Sequence, residues 1–248
     1  MNNQKNTTRQ SLLASGLSRA AVDVMVENLD ETVLLGCVGL DADSLDTTDA
    51  TLVSCVLDMS GSMDPYAPAV IDAYNTMLAA LSGAKGAGTI LLSTWAFEDR
   101  PVLFSSYEPV AQKPKLTRSV YSPGGGTALY DAALHAMTGL VAYGQELWDQ
   151  GVPTRRVLFL LSDGDDNASK AKARDVNALA DSLLTAEQTS LAYAGFGTTD
   201  PAAQAQAIGF RDVVAAGASE SELRRIFRQV SQSVLRVSQG VQPSAGFF

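Results

Sequence analysis

The sequence predicts an α/β fold: a doubly wound, mainly parallel central sheet with one antiparallel edge strand and helices on both faces. Three observations carry this expectation. Apolar runs without polar alternation, at 52–57 and 158–161, read as strands buried on both faces. Segments with apolar residues at helical spacing separate such runs, and strands alternating with helices build a parallel sheet. Between the strand-like stretches 89–97 and 101–107, Glu98-Asp99-Arg100-Pro101 fits a tight turn, which makes the second stretch an antiparallel edge.

Taken in order, residues 1–10 are polar and are expected to fray. Residues 11–29 have a helical pattern, with Ser18 placed to cap a helix whose Val22, Met25, Val26 and Leu29 share a face. Residues 33–40, apolar with two glycines, read as an extra strand or as a segment folded back on the core. The acidic, Ser/Thr-rich stretch 41–49 reads as a linker. Asp64-Pro65 marks a helix start, and Val70, Tyr74, Met77, Leu78 and Leu81 line one face of that helix. Thr127 opens a long helix with Tyr130, Ala133, Leu134, Met137, Val141 and Leu147 inward, weakened by Gly139 and Gly144. Then come a strand at 157–162, a helix over about 169–187, a strand at 190–196, a short helix opened by Asp200-Pro201 and a last strand at 212–216. Ser219-Glu220-Ser221-Glu222 reads as a capping box ahead of a helix carrying Leu223, Ile226, Phe227, Val230 and Val234. The chain thus divides into an N-terminal extension (1–50), a main domain (51–239) and a tail (240–248) that ends in Phe247-Phe248.

The chemistry concentrates at the end of the first apolar run, in Asp58-Met59-Ser60-Gly61-Ser62. In an extended loop, alternate residues project the same way, so Asp58, Ser60 and Ser62 converge. A carboxylate with two hydroxyls is an all-oxygen set that suits Mg²⁺, Mn²⁺ or Ca²⁺ rather than zinc or copper. Gly124-Gly125-Gly126-Thr127 offers another hydroxyl, and Ser162-Asp163-Gly164 ends a second buried strand in another carboxylate. Open α/β sheets gather ligands at these ends. Together the three stretches resemble the metal-ion-dependent adhesion site of the von Willebrand factor A (VWA) domain family, over roughly residues 51–239. Asp58, Ser60 and Ser62 match its Asp-x-Ser-x-Ser motif, Thr127 its threonine and Asp163 its distal aspartate. The resemblance implies that Ser60 and Ser62 bind the metal directly, and that Asp58, Thr127 and Asp163 bind it directly or through water. It implies Mg²⁺ as the first candidate metal, with Mn²⁺ or Ca²⁺ as alternatives, and a partner protein that supplies an Asp or Glu ligand. The chain is most similar to small prokaryotic VWA proteins of the TerY/YegL kind, which implies a signalling or stress setting with kinases, phosphatases or AAA+ ATPases. Met63, Tyr66, Tyr121, Tyr130 and Asp165-Asp166-Asn167 are candidates for selecting the partner.

Composition narrows the rest. A chain of 248 residues with 46% apolar content fits one sizeable α/β domain. No stretch approaches the ~20 apolar residues of a membrane span, and the polar start lacks a signal-peptide core, so a cytoplasmic location is expected. A net charge of −9 argues against nucleic-acid and anionic-membrane surfaces. Cys37 and Cys55 read as buried thiols. No enzyme is expected. There is no Gly-x-Ser-x-Gly, no Lys follows the glycine run, and Ser60 stands where haloacid-dehalogenase-type phosphohydrolases carry an acid/base carboxylate. His135, the only histidine, reads as a surface partner of Asp131 or as a solvated histidine rather than a catalytic one. The alternatives are an assembly subunit bridged through the extension or the tail and, less favoured, a phosphohydrolase.

Overall fold

The computed structural model describes residues 2–45, 47–185, 189–197, 200–240 and 246–248. Its centre is β1 (Ala50–Asp58), in which all nine residues are buried. A strand buried this completely has neighbours at both edges and cover on both faces. Its neighbours are β2 (Ile90–Phe97) and β4 (Thr154–Ser162), both parallel to it. The sheet continues through β5 (Thr189–Phe196) to β6 (Asp212–Ala216), and closes on the other side with β3 (Pro101–Pro109), antiparallel to β2. The order is β3-β2-β1-β4-β5-β6. This is the expected sheet, with its single antiparallel strand at an edge.

The period of two along β1 assigns the two faces. Val53, Cys55 and Leu57 face α4 (Ala67–Ser82) and α8 (Glu220–Ser238), which also pack on each other. Ala50, Leu52 and Val56 face the layer of α5 (Leu129–Asp149) and α6 (Ala173–Thr185). The short α7 (Pro201–Ala207) packs on β5 and β6 and is capped by Asp200, whose Oδ1 accepts from Ala203 N. Cys37 and Cys55 are free and lie in opposite cores; burial pushes the Cys37 thiol up to about 12 and raises that of Cys55.

The N-terminal residues depart most from expectation. The polar start forms α1 (Asn2–Ala14) instead of fraying, because Leu12 and Thr8 are buried where this helix packs on α5. A turn at Gly16 separates it from α2 (Arg19–Glu27), where Ser18 Oγ accepts from Ala21 N as the cap. Residues 33–40 are not a strand. The N-cap Asp30, which accepts from Val33 N at 2.8 Å, starts α3 (Glu31–Gly36) instead. The segment does fold back on the core. A Cβ on Gly139 of α5 would stand 2.5 Å from the Gly36 carbonyl oxygen, so only glycine permits this approach. The residue that weakens α5 by propensity is what lets α3 dock.

The same docking overturns the surface reading of His135. α5 is buried on nearly every side, and His135 is 8% exposed, edge-on to Trp95 at 6.4 Å. Burial lowers its pKa, against the pull of Asp30 and Asp131, which holds the ring neutral. At α8, Ser219 Oγ accepts from Glu222 N, but the expected reciprocal bond is absent. Glu222 pairs with Arg225 at 2.8 Å, and Ser219 N donates to the Gly217 carbonyl. Phe247 is buried in the α4/α8 core, its carbonyl held by Ser233 and Arg236 and its N–H by Asp212. No described helix is long and apolar enough to cross a membrane.

Candidate metal centre

β1 and β4 run side by side, so Asp58 and Ser162 stand one position beyond the paired Leu57 and Leu161, on the same face. Ser162 Oγ donates to Asp58 Oδ2 at 2.5 Å. On the other side the chain turns after β1, and Ser60 N donates to Asp58 Oδ1 at 2.8 Å. The carboxylate is therefore clamped at both oxygens and wholly buried. From it a chain of oxygens runs outward. Ser60 Oγ lies 3.1 Å from Ser62 Oγ, and Ser62 Oγ donates to Asp163 Oδ1 at 2.9 Å.

Thr127 arrives from the loop before α5. Its N–H donates to Asn167 Oδ1 at 2.8 Å, and its carbonyl accepts from Asn167 N at 3.0 Å. Its Oγ1 lies 4.0 Å from where a Cβ on Gly164 would stand, beside Asp163. All five residues expected from sequence thus gather at the carboxyl ends of β1 and β4.

The glycine run serves as scaffold. Gly124 N donates to the Met59 carbonyl, Gly61 N to the Gly125 carbonyl and Gly126 N to Asp99 Oδ1 at 2.7 Å. Gly125 has φ 64°, the left-handed conformation that glycine adopts freely. With the amides of Gly124 and Gly126 committed to protein acceptors, they do not form a phosphate cradle.

Several rim expectations change. Met63 and Tyr121 are fully buried, and Tyr121 donates its hydroxyl hydrogen to the Asp58 carbonyl, so it braces the loop from below. Tyr66 stands edge-on to Phe196 at 4.8 Å. Asn167 is exposed and also pins Thr127, and Asp166 Oδ1 accepts from Tyr130 N at the start of α5. Asp165 is exposed and accepts from Gln204. Sequence reasoning missed Ser162, Asp99 and Tyr121 as supports. Ser162 was within reach, since it occupies the same end position on β4 that Asp58 occupies on β1.

The electrostatics fit a cation. Burial pushes the Asp58 carboxyl up to about 6, against the lowering by Ser162 and Ser60, with Asp163 raising it further. Burial also raises Asp163, against its bond from Ser62. No Lys, Arg or His pairs with either carboxylate among the described residues. Two carboxylates without a counter-charge, beside three hydroxyls, form an oxygen donor set of the kind hard divalent cations take. Among the described residues, no three of His, Cys, Asp and Glu cluster as a metal group, so any such centre rests on the hydroxyls as much as on the carboxylates.

No protein-family model and no curated protein matches the sequence. Solved structures do share the fold. The pilus adhesin SpaC from Lactobacillus rhamnosus GG, in its open conformation, has a TM-score of 0.60 at 12% identity, over 77% of this chain and 30% of that one. The D319A mutant of the PilB minor pilin from Streptococcus sanguinis has 0.56 at 14%, over 81% and 65%. A von Willebrand factor type A protein from Catenulispora acidiphila has 0.52 at 16%, over 75% and 43%. The fold is thus the α/β fold of VWA domains, and this chain spans 30% to 65% of the length of these three.

Proposed function

We propose that this chain is a metal-dependent protein-interaction module whose centre is Asp58, Ser60, Ser62, Thr127 and Asp163. The observation that carries the reading is the buried, doubly clamped Asp58 carboxylate, which pairs with no protein cation among the described residues. A divalent cation, Mg²⁺ first and Mn²⁺ or Ca²⁺ next, would be held by these five side chains and would offer a position to a carboxylate of a partner protein. The residues around it do the positioning. Ser162 and Ser60 N fix both oxygens of Asp58, Asn167 fixes the backbone of Thr127, and the glycine run locks the loop that bears the serines.

Two of the solved chains with this fold are named as a pilus adhesin and a minor pilin, which is in keeping with a binding role. The resemblance to TerY/YegL-like proteins favours a cytoplasmic signalling or stress complex, with a kinase, phosphatase or AAA+ ATPase as partner. We favour binding over catalysis because Ser60 occupies the position that a phosphohydrolase fills with its proton-shuttling carboxylate, and because His135 is buried against Trp95. Bridging of copies by the tail is disfavoured, since Phe247 is buried in its own chain.

Calorimetric titration of Mg²⁺, Mn²⁺ and Ca²⁺ into wild type and Asp58→Ala tests the reading. Saturable binding that the variant loses while still folded is expected. Equal heats from both proteins would sink it.

A further inference from the structure

At the opposite end of the sheet lies a second buried charge, and the metal reading does not use it. Arg155 and Arg156 are adjacent on β4 and point to opposite faces. Arg155 is half exposed and pairs with Asp49. Arg156 is 8% exposed, faces α5, and has no carboxylate partner among the described residues. Its Nε is buried and has no hydrogen-bond acceptor. The guanidinium lies against α5, where a Cβ on Gly144 would stand 2.5 Å from Nε and 2.9 Å from Nη2, so a glycine makes room for it.

Two neighbours share this condition. Thr154 precedes Arg156 by two residues and projects from the same face of β4, and Thr189 of β5 is the register partner of Arg156. The Oγ1 of each is buried without a hydrogen-bond partner. Among the described residues, six buried side-chain N or O atoms lack partners, and three of the six meet on this one patch. Buried polar atoms are normally paired, and an arginine cannot shed its charge to escape burial. Bridging water could satisfy the donors, but it would bring no charge to balance a guanidinium that pairs with no carboxylate among the described residues. A planar fork of N–H donors flanked by two hydroxyls matches an oxyanion.

We propose that Arg156, with Thr154 and Thr189, forms a binding site for a small oxyanion of the phosphate class at the amino end of the sheet. The site is independent of the metal centre. Arg156 lies six residues along β4 from Ser162, about 20 Å at the rise of an extended strand. With a net charge of −9 the protein repels anions at long range, so saturable uptake would report a built site.

The test is calorimetric titration of inorganic phosphate into the full chain in metal-free buffer at constant ionic strength, with acetate as a second probe. Thermal melts accompany it, and the proteins are wild type, Arg156→Met, Arg156→Lys and the double variant Thr154→Val/Thr189→Val. Wild type should bind phosphate saturably and melt at higher temperature in its presence. Arg156→Met should lose both effects. Arg156→Lys keeps the charge without the fork and should bind roughly tenfold more weakly, as should the threonine double variant. Acetate binding as tight as phosphate would assign the site to carboxylates and overturn the phosphate class. A melting shift of equal size in wild type and Arg156→Met would mean general salt stabilisation and overturn the site. So would absence of phosphate binding to wild type. Should Arg156→Met fail to fold, Arg156→Lys and the threonine variant decide by the same readout. Asp58→Ala should bind phosphate as wild type does, which separates failure here from failure of the metal reading.

Discussion

Asp58 and Arg156 are both buried, both charged and both on the α5 face of the sheet, yet one is answered and the other is not. Asp58 stands at the carboxyl ends of the strands, where chains turn into loops and helices and free N–H and O–H groups abound. It receives Ser60 N from the loop that follows it and Ser162 Oγ from the end of the neighbouring β4. Arg156 stands at the amino ends, where helices finish and their carbonyl ends give a diffuse preference for cations without supplying an aligned acceptor. Each charge sits at the end of the fold that suits its sign. The difference lies in hydrogen bonding: the carboxylate is clamped by its own loop and by the end of the adjacent strand, whereas the guanidinium Nε finds no acceptor among the described residues.

The largest way to break this comparison is to remove the answered charge. Asp58→Ala should weaken divalent-cation binding by more than about a hundredfold, because even groups outside a metal's ligand shell change affinity by 10–100-fold; calorimetry reads this directly. The second test uses pH. Burial raises the Asp58 carboxyl from 3.8 to about 6 in the folded protein. Between those values the folded state holds a proton that the unfolded chain has released. Metal-free stability therefore falls as pH rises through about 4 to 6, then levels. A shift of about 2 units corresponds to about 3 kcal/mol at most. Asp58→Asn should flatten this slope and, at neutral pH without metal, be the more stable protein. Denaturant melts at pH 4 and 7 check it, and a wild-type stability that climbs over that window would contradict the assignment.

Removing the unanswered charge should have a smaller effect of the same sign. Arg156→Met, in buffer free of phosphate and sulfate, should stabilise the fold by about 1 kcal/mol or somewhat more, since apolar replacement of poorly compensated buried charge is often favourable. Its denaturation midpoint should move up with an unchanged slope. The smallest effect belongs to the scaffold of the metal end. Asn167→Ala leaves the Thr127 N–H without its acceptor and should cost about 1 kcal/mol of stability. It should also weaken cation binding less than Asp58→Ala does, by about tenfold.

The sequence made the sheet and the metal centre legible for the same reason. Both depend on short-range patterns: unbroken apolar runs, and alternate polar residues directly after them. What it hid depends on meetings between distant residues. Residues 33–40 carry an apolar pattern that fits strand or helix, and Asp30 at the cap, together with the Gly36–Gly139 crossing, decides for helix. The polar face of α1 reads as fraying until α5 is there to cover Leu12. His135 could have been placed better. α5 has almost no polar face, and a helix apolar on all sides needs cover, which here comes from the N-terminal helices. Tyr121 and Met63 look like rim residues by proximity to the motif, and nothing local reveals that they point inward.

The docking of the first helices on α5 also sets an order of events. Tyr143 donates to the Leu40 carbonyl, and Gln150 Oε1 accepts from Ala42 N, across 103 and 108 residues of chain. As the protein is synthesised, this segment is made well before α5 and has no surface to settle on until α5 has packed against the sheet. Contacts of such sequence separation slow folding, because the long loop must close before they stabilise anything. The apolar sides of α2 and α3 therefore stay uncovered in the nascent chain until α5 and α6, more than a hundred residues later, are in place.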